Sequence, residues 1–539
     1  MSHKEYMEME QRGAELVSAL VCLPQKSSDI ARFNESADSE KTLEENRLFG
    51  RFMSPEAKKI SLGIHASVTE HFYETYGHNP SDALIAAAGS ALENSLDTIK
   101  QFYEANGQTE EADIKTLEVL AGLIEPIMYQ SIAAQTTVPI FSAQRRAKYF
   151  RRERLAGTAR AGVALNANIS DGLMGAYAAM QGRYKMSVNP DGTARAAGTP
   201  DGVAATLTYA LGHAMKKNIV VWLDHAIIAV SDPTGGNSLI SKSATYPITA
   251  STVDYAAGTI SMTFGAPLAV GKIPMLWLET NLEKAPTQVP KITYEYTESS
   301  LEPHSFAVAA VNTLMAQLAA MKGFGHNLKT FSVNDVVMVM VKSLDNQIIL
   351  DQIYAAGRRN FNWDRSVPAG ASYSPQEHYR SFIEKCNEAD LALLNDTNGK
   401  AGLDFIYAGD DLIKFFMDLN ALGVPSIWQP RGTMITERMR NQPHYLGLLN
   451  NRIKVYAIPG NSIVTPWDGV RALAANEGIF GGIGRDYFSA GFVTGAFQAP
   501  FPFTVLMNAQ FQEQEMLYAE QYSEMVSALH YAKLTISAS

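Results

Sequence analysis

Only two cysteines, Cys22 and Cys386, occur in 539 residues, and they lie far apart in sequence. A disulfide framework and a cysteine-rich zinc site are thereby excluded, and the low count suits a reducing cytoplasm. Long apolar runs are missing as well. No stretch approaches the ~18 consecutive apolar residues that a membrane span requires. The opening MSHKEYMEMEQRGAELVSALVCL mixes charges into its apolar portion, so a signal peptide is not expected there. A basic excess is absent too: the formal net charge is -10, with pI ≈ 5.6. Phosphate neutralisation supplies much of the affinity for nucleic acid, so tight DNA binding by the whole chain is not expected.

Familiar catalytic motifs are also lacking. Neither a G-x-S-x-G elbow nor H-E-x-x-H occurs. Gly481, Gly482 and Gly484 cluster without G-x-G-x-x-G spacing, and no Walker lysine follows them. Lys272 and Lys400 follow glycines but precede Ile273 and Ala401, where Ser or Thr is required. The glycine cluster reads as a flexible turn. The eleven histidines are scattered, and His71 and His78 have no partner at ligand spacing. No metal, cofactor or catalytic residue is expected. Asp410 and Asp411 lie between a strand pattern and a helix pattern, where carboxylates cap a helix and oppose its positive end.

What the chain does have is apolar content sufficient for a large core, 46% hydrophobic against 19% charged. Its length allows several domains. Residues 1–53 open with a short helical pattern and continue into QKSSDIARFNESADSEKTLEEN, which has little to bury and reads as an N-terminal arm. Residues 54–155 form a helical region. Ser54-Pro55-Glu56 is a start signal, Ser81 caps a second helix, and Leu84, Ala88, Leu92 and Ile99 recur near helical spacing. A third helix is predicted over 111–125, stopping before Pro126.

Residues 156–202 are small and Gly/Ala-rich, with Asp191-Gly192 and Asp201-Gly202 as turn signals. They have too few large apolar side chains for a core of their own and read as an extended loop laid on something else. Residues 203–300 carry strand patterns (NIVVWLDHAIIAV, TVDYAAGTISMTF, KIPMLWLET, PKITYEYTE) and read as a small inserted β domain. In 301–400, HSFAVAAVNTLMAQLAAMK predicts one helix and NDVVMVMVKSLDNQIILDQIYAA a second. The second is capped by Asn334 or Ser332, with Val337, Val341, Leu344 and Ile348 as its stripe. Residues 401–495 alternate strands and helices. The class is α+β.

The basic run Arg145, Arg146, Lys148, Arg151, Arg152 and Arg154 is the one candidate interaction site. Three readings are open: a nucleic-acid patch, a solvated face, or cations that meet carboxylates on a neighbouring copy.

Five blocks, taken in order, resemble the major capsid protein of contractile-tailed bacteriophages, whose fold is the Hong Kong-type capsid fold. They are TTVPIFSAQRRAKYF (136–150), ITYEYTESSLEPHSFAVAAVNTLMAQLAAMKGFGHN with the helix after it, GLDFIYAGDDLIKFFMDLNALG, YLGLLNNRIKVYAIPG (445–460) and YFSAGFVTGAFQAPFPFTV (487–505). The resemblance implies an N-terminal arm, the extended loop, a peripheral domain with a long spine helix over 301–400, an axial domain over 401–495, and a return strand with a C-terminal helix over 496–539. It further implies self-assembly as hexamers and pentamers into an icosahedral shell around packaged phage DNA, which is touched only non-specifically. Scaffold, portal and decoration proteins would be partners, and the chain would reside in the virion capsid after assembly in the host cytoplasm. Shells of this kind are often trimmed by a protease, and Leu43-Glu44-Glu45 lies where a cut could fall. Residues 54–125 and 203–300 exceed the minimal fold, and the return strand ends in Ala499-Pro500-Phe501-Pro502-Phe503 where the family has aromatic–proline–leucine. A cellular nanocompartment shell and a cytoplasmic hydrolase are the competing readings.

Overall fold

A computed structural model gives the fold. It describes residues 3–36, 38–106, 118–119, 121–159, 163–169, 177–178, 181–185, 206–210, 214–255, 259–265, 268, 272, 274–280, 289–313, 328–368, 370, 372, 374–421, 427–430, 442–460, 462–466, 468–505 and 512–537. The chain divides into a larger unit, residues 1–151 and 298–539, and a smaller one, residues 152–297.

The larger unit begins with helices α1 (His3–Val21), α2 (Ser27–Asn34) and α3 (Ser39–Glu45). Leu16, Leu20, Leu43, Leu48, Phe49 and Phe52 are buried in the main hydrophobic cluster of the unit. The expected arm over 1–53 is therefore corrected to a packed helical layer. Its buried residues are too thinly spread to form a visible stripe, and only their tertiary partners show them to be core. Helix α4 (Pro55–Tyr76) begins as predicted: Ser54 Oγ accepts from Ala57 N at 3.3 Å and Pro55 takes the first position. It ends at Gly77, whose φ of 76° is readily adopted by glycine.

Helix α5 (Asp82–Asn106) starts with Leu84 N donating to Ser81 Oγ at 3.3 Å, and Leu84, Ala88, Leu92 and Ile99 are all buried. The third helix stops before Pro126, three residues sooner than predicted: Ala121 and Gly122 are helical, Leu123 is a turn, and a new helix starts at Ile124. Helix α6 (Ile124–Gln130) holds Pro126 in its first turn, where the missing N–H breaks no intrahelical bond. Residues 111–117 and 120 of that predicted helix lie outside the described residues. Helix α7 (Ile132–Thr136), strand β1 (Val138–Pro139) and strand β2 (Ala147–Ala156) follow.

The smaller unit holds β3 (Gln181–Lys185), β4 (Thr206–Ala210), β5 (Ala214–Leu223), β6 (Ala226–Ser231), β7 (Leu239–Ser241), β8 (Ile248–Asp254), β9 (Thr259–Phe264) and β10 (Met275–Thr280). They form a five-stranded sheet in the order β3-β10-β5-β6-β7 and a three-stranded sheet β4-β9-β8. Ile260, Met262 and Phe264 alternate into the core along β9, where they join Ile219, Val221, Ile228 and Leu276. Asp224 and His225 link β5 to β6 with φ of 51° and 64°, the tight turn that suits the twist of a hairpin. Part of the segment read as extended loop, 156–202, belongs to this unit: β3 pairs with β10, and Ala156, Ile169 and Tyr177 are buried together. Asp191-Gly192 and Asp201-Gly202 lie outside the described residues. Strand β11 (Ile292–Leu301) pairs with β2 in a two-stranded ribbon.

Back in the larger unit, β12 (His304–Thr313) replaces the first half of a predicted helix, whose remainder, 314–322, lies outside the described residues. It pairs antiparallel with a later strand from His304↔Gln521 to Thr313↔Gln512. The alanines there favour helix, but Phe306 and Val308 alternate onto one face and pack against Met340 and Leu344, so the pairing prevails over propensity. Helix α8 (Leu328–Ala355) is the long helix predicted. It begins before both Ser332 and Asn334, which are therefore not its caps. Next come β13 (Asn360–Asp364), α9 (Pro375–Tyr379), α10 (Ser381–Asp396), β14 (Phe405–Ala408), α11 (Asp410–Ala421), β15 (Trp428–Pro430), β16 (His444–Leu449), β17 (Ile453–Ala457), β18 (Glu477–Gly481), β19 (Phe492–Val505), β20 (Gln512–Met525) and β21 (Tyr531–Ser537). A seven-stranded mixed sheet runs β13-β21-β18-β14-β17-β16-β15, with β14 buried along its length, and a four-stranded sheet runs β1-β19-β20-β12. The C-terminal helix expected within 496–539 is corrected: the described part of that segment is strand apart from a short turn of 3-10 helix at Ala528–His530. No helix among the described residues is long and apolar enough to cross a membrane.

If residues 1–53 are core, Leu16→Ala will cost about 2–5 kcal/mol, the range for emptying a buried leucine site. Denaturant midpoints measure this, and an unchanged midpoint would restore the arm.

Candidate functional site

The basic segment enters β2 from a loop held by Tyr522 of β20, whose hydroxyl donates to the carbonyls of Gln144 and Arg145 at 3.0 and 3.2 Å. Once the strand begins, alternation puts Lys148, Arg152 and Arg154 on one face. The cations meet partners within the chain. Arg145 pairs with buried Glu520 at 2.9 Å, Arg146 with Glu302 at 3.5 Å and Lys148 with Glu298 at 2.8 Å. The Arg152 guanidinium lies 4.9 Å from the centre of the Tyr294 ring. Arg154 is exposed, and the side chain of Arg151 lies outside those described. The Arg146 and Lys148 pairs are solvent-exposed on both sides and so worth at most ~1 kcal/mol each. They can be exchanged for other carboxylates at little cost.

Stronger charge clusters lie deeper in the larger unit. Glu93 on α5, only 3% exposed, takes Arg12 and Arg51 at 2.6 Å each and Arg47 at 3.2 Å. Arg47 also reaches Glu15, and Arg51 reaches Asp97. Burial opposes ionisation of Glu93, but the charges of Arg12, Arg51 and Arg47 outweigh it and hold the carboxyl below its ordinary 4.5. Elsewhere His65 Nδ1 lies 2.7 Å from Glu125 Oε2, both side chains being buried. Burial works against the imidazolium, yet the charge and hydrogen bond of Glu125 raise His65 above its ordinary 6.5. Asp345 on α8 accepts from Ser131 Oγ at 2.5 Å and Ile132 N at 3.2 Å, and burial still pushes its carboxyl up to about 6. None of these clusters was visible in the sequence, because each joins residues of separate helices. The one local hint was three arginines, at positions 12, 47 and 51, inside a segment read as an unpacked arm.

The remaining sequence-level candidates have structural roles. Asp410 and Asp411 open α11, where they face its positive end. Asp410 is used beyond its own helix, accepting from Gly460 N at 3.0 Å and from Arg471 at 2.6 Å, while Asp411 takes Lys414 at 3.1 Å. The glycine cluster is a packed turn: at Gly484, φ is +89° and an added Cβ would lie 2.1 Å from the Ser489 carbonyl oxygen. Leu43, at the possible cut site, is buried within α3. Among the described residues no three His, Cys, Asp or Glu side chains are grouped to hold a metal ion.

No protein-family model and no curated protein matches this sequence. Solved structures similar in part include the following three. The capsid of Myoviridae phage XM1 is 11% identical over 46% of this chain and 78% of that one, with TM-score 0.30. The capsid of Helicobacter pylori bacteriophage KHP30 is 10% identical over 48% and 79%, with TM-score 0.30. The SrpI encapsulin complex of Synechococcus elongatus is 12% identical over 45% and 77%, with TM-score 0.27. At those scores the similarity carries no argument about this chain.

The buried charges fix the sign of the pH dependence. A raised folded-state value contributes stability that is complete below the unfolded value and is lost as pH rises through the folded one. His65 and Asp345 both act this way. Glu93, with a depressed value, acts oppositely and loses its contribution only as pH falls below about 4.5. Denaturant midpoints should therefore fall as pH rises from about 4 to about 6 through Asp345, and fall again above about 6.5 through His65, and the double variant His65→Gln, Asp345→Asn should flatten both slopes. Glu93→Ala, which leaves three arginines around an empty site, should cost about 3–5 kcal/mol near neutrality.

Proposed function

We propose that this chain is a shell-building subunit, the major capsid protein of a tailed phage, whose copies close as hexamers and pentamers around packaged DNA. The β2–β11 ribbon is the observation that carries this reading. Ile292 through Glu298 are exposed without interruption, with Tyr294 at 50% and Tyr296 at 69% exposure. A two-stranded ribbon is marginal in water unless something covers it, and exposed tyrosines flanked by charges make an interface composition. The five ordered blocks of family resemblance supply the occupant, a neighbouring copy. Arg145, Arg146, Lys148, Arg151, Arg152 and Arg154 line the same ribbon or lead into it, and several of their ion pairs are weak enough to exchange.

A closed shell multiplies modest, self-complementary contacts, so no single interface has to be strong. The net charge of -10 suits a container whose contact with DNA is non-specific. Scaffold, portal and decoration proteins would be further partners in host cytoplasm, and the end state is the virion. No enzymatic role is proposed. The nanocompartment alternative differs in its contents: particles of that kind would lack packaged DNA.

Electron microscopy of the purified chain should show closed shells, rings or tubes. Charge reversal at Arg151 and Arg152 should abolish them while the circular dichroism of the subunit stays unchanged. Tyr296→Ser should raise the concentration needed for assembly about tenfold, the effect of losing a modest interface anchor. A compact monomer at all concentrations would refute the shell reading. Assembly that survives both changes would remove the ribbon from the interface.

A further inference from the structure

A cleft of ≈ 480 Å³ opens in the larger unit, within the size range of small-molecule sites. Its walls come from the turn between α4 and α5, the segment from α7 through Phe141, the start of β2, β17, and the loop after β18. All of these belong to one unit of one chain, so the cleft is complete within a single copy.

Two of its donors, Gln135 and Lys454, lack hydrogen-bond acceptors among the described residues. The Gln135 side chain is only 8% exposed, and its Nε2 has no hydrogen-bond partner. A buried amide in that state has given up its water without replacement. Lys454 of β17 also lines the cleft, partly buried, with its ammonium 5.8 Å from the centre of the Tyr76 ring. Burial lowers its affinity for a proton, and Asp404 opposes that shift without forming an ion pair with it. Arg485 stands exposed at the rim. The other charges are already engaged: Lys148 with Glu298, and Asp486 with the backbone of Ser489 at 2.8 Å. Leu84, Ile140 and Ile483 make the apolar wall.

We propose that this cleft binds a small organic carboxylate, its charged head on the Gln135 amide and the Lys454 ammonium and its apolar stem against Leu84, Ile140 and Ile483. One negative charge answers a partly buried cation and an idle amide donor together. A neutral ligand would satisfy the amide and leave Lys454 as it is. A phosphate would bring more charge than two donors offset, with no stem for the apolar wall. The inference is independent of the shell reading, since it needs only the folded subunit.

Isothermal titration of the 539-residue chain with hexanoate tests it, with hexanol as the uncharged control of equal stem. Hexanoate should bind, hexanol should bind at least about tenfold more weakly, and Lys454→Met should weaken hexanoate by at least about tenfold. Because Lys454 lies in the seven-stranded sheet, Arg485→Ala is run beside it. That exposed change should leave folding intact and weaken hexanoate about threefold. Equal affinity for the two ligands, no heat from either, or hexanoate affinity unaltered in a folded Lys454→Met chain would each overturn the proposal.

Discussion

A fully buried side-chain amide, that of Gln352 on α8, holds the larger unit in one arrangement. Its Oε1 accepts from the Tyr407 hydroxyl at 2.6 Å, and its Nε2 donates to the Thr136 carbonyl and the Tyr531 hydroxyl at 3.4 Å each. Thr136 Oγ1 lies 2.7 Å from the same Tyr407 hydroxyl. Four elements, α7, α8, β14 and β21, thus meet around one group. Apolar attraction among Ile348, Ile349, Phe405, Tyr407 and Tyr531 would tolerate many packings. The polar groups do not, because each one left unpaired in that interior costs ~1–3 kcal/mol. The amide therefore sets the register of the long helix against the central sheet. The same hydrophobic cluster extends to Leu16, Leu20 and Phe49, so the N-terminal helices share this core and are not an addition to it.

What could be read from the sequence was what short-range physics decides. The start of α4 was legible because Ser54 and Pro55 act within one turn, and β9 because its alternation needs only the pleat. The strand at His304–Thr313 was misread for the opposite reason. Helix propensities differ by no more than ~0.7 kcal/mol per ordinary residue, and a ladder with a partner some two hundred positions away outweighs that difference without leaving a local trace. The N-terminal helices were misjudged likewise, since Leu43 or Phe52 in a polar stretch looks incidental until the surface that covers it is known. The candidate site shows the same division. Six cations in ten residues are conspicuous, but Glu298, Glu302 and Glu520 are brought to them only by the fold. Gln135 and Lys454 had no signature at all, because a cleft is a property of elements brought together.

The distribution of charge separates what holds the subunit together from what it offers outward. Glu93 with its three arginines, and His65 with Glu125, are buried, and removing one partner from such a cluster strands a charge in the interior. Those contacts commit the chain to one shape. On the β2–β11 ribbon the pairs are exposed, and their net worth is ~0–1 kcal/mol. For the proposed shell this difference is functional. A ribbon with strong ion pairs of its own would have to break them before engaging a neighbour, and the loss would cancel much of the gain. Weak pairs beside uncovered tyrosines reverse the balance: covering Tyr294 and Tyr296 removes apolar area from water, while the charges change partners almost neutrally. Rigidity inside and exchangeable contacts outside let each copy fold alone and still dissociate from a misplaced neighbour.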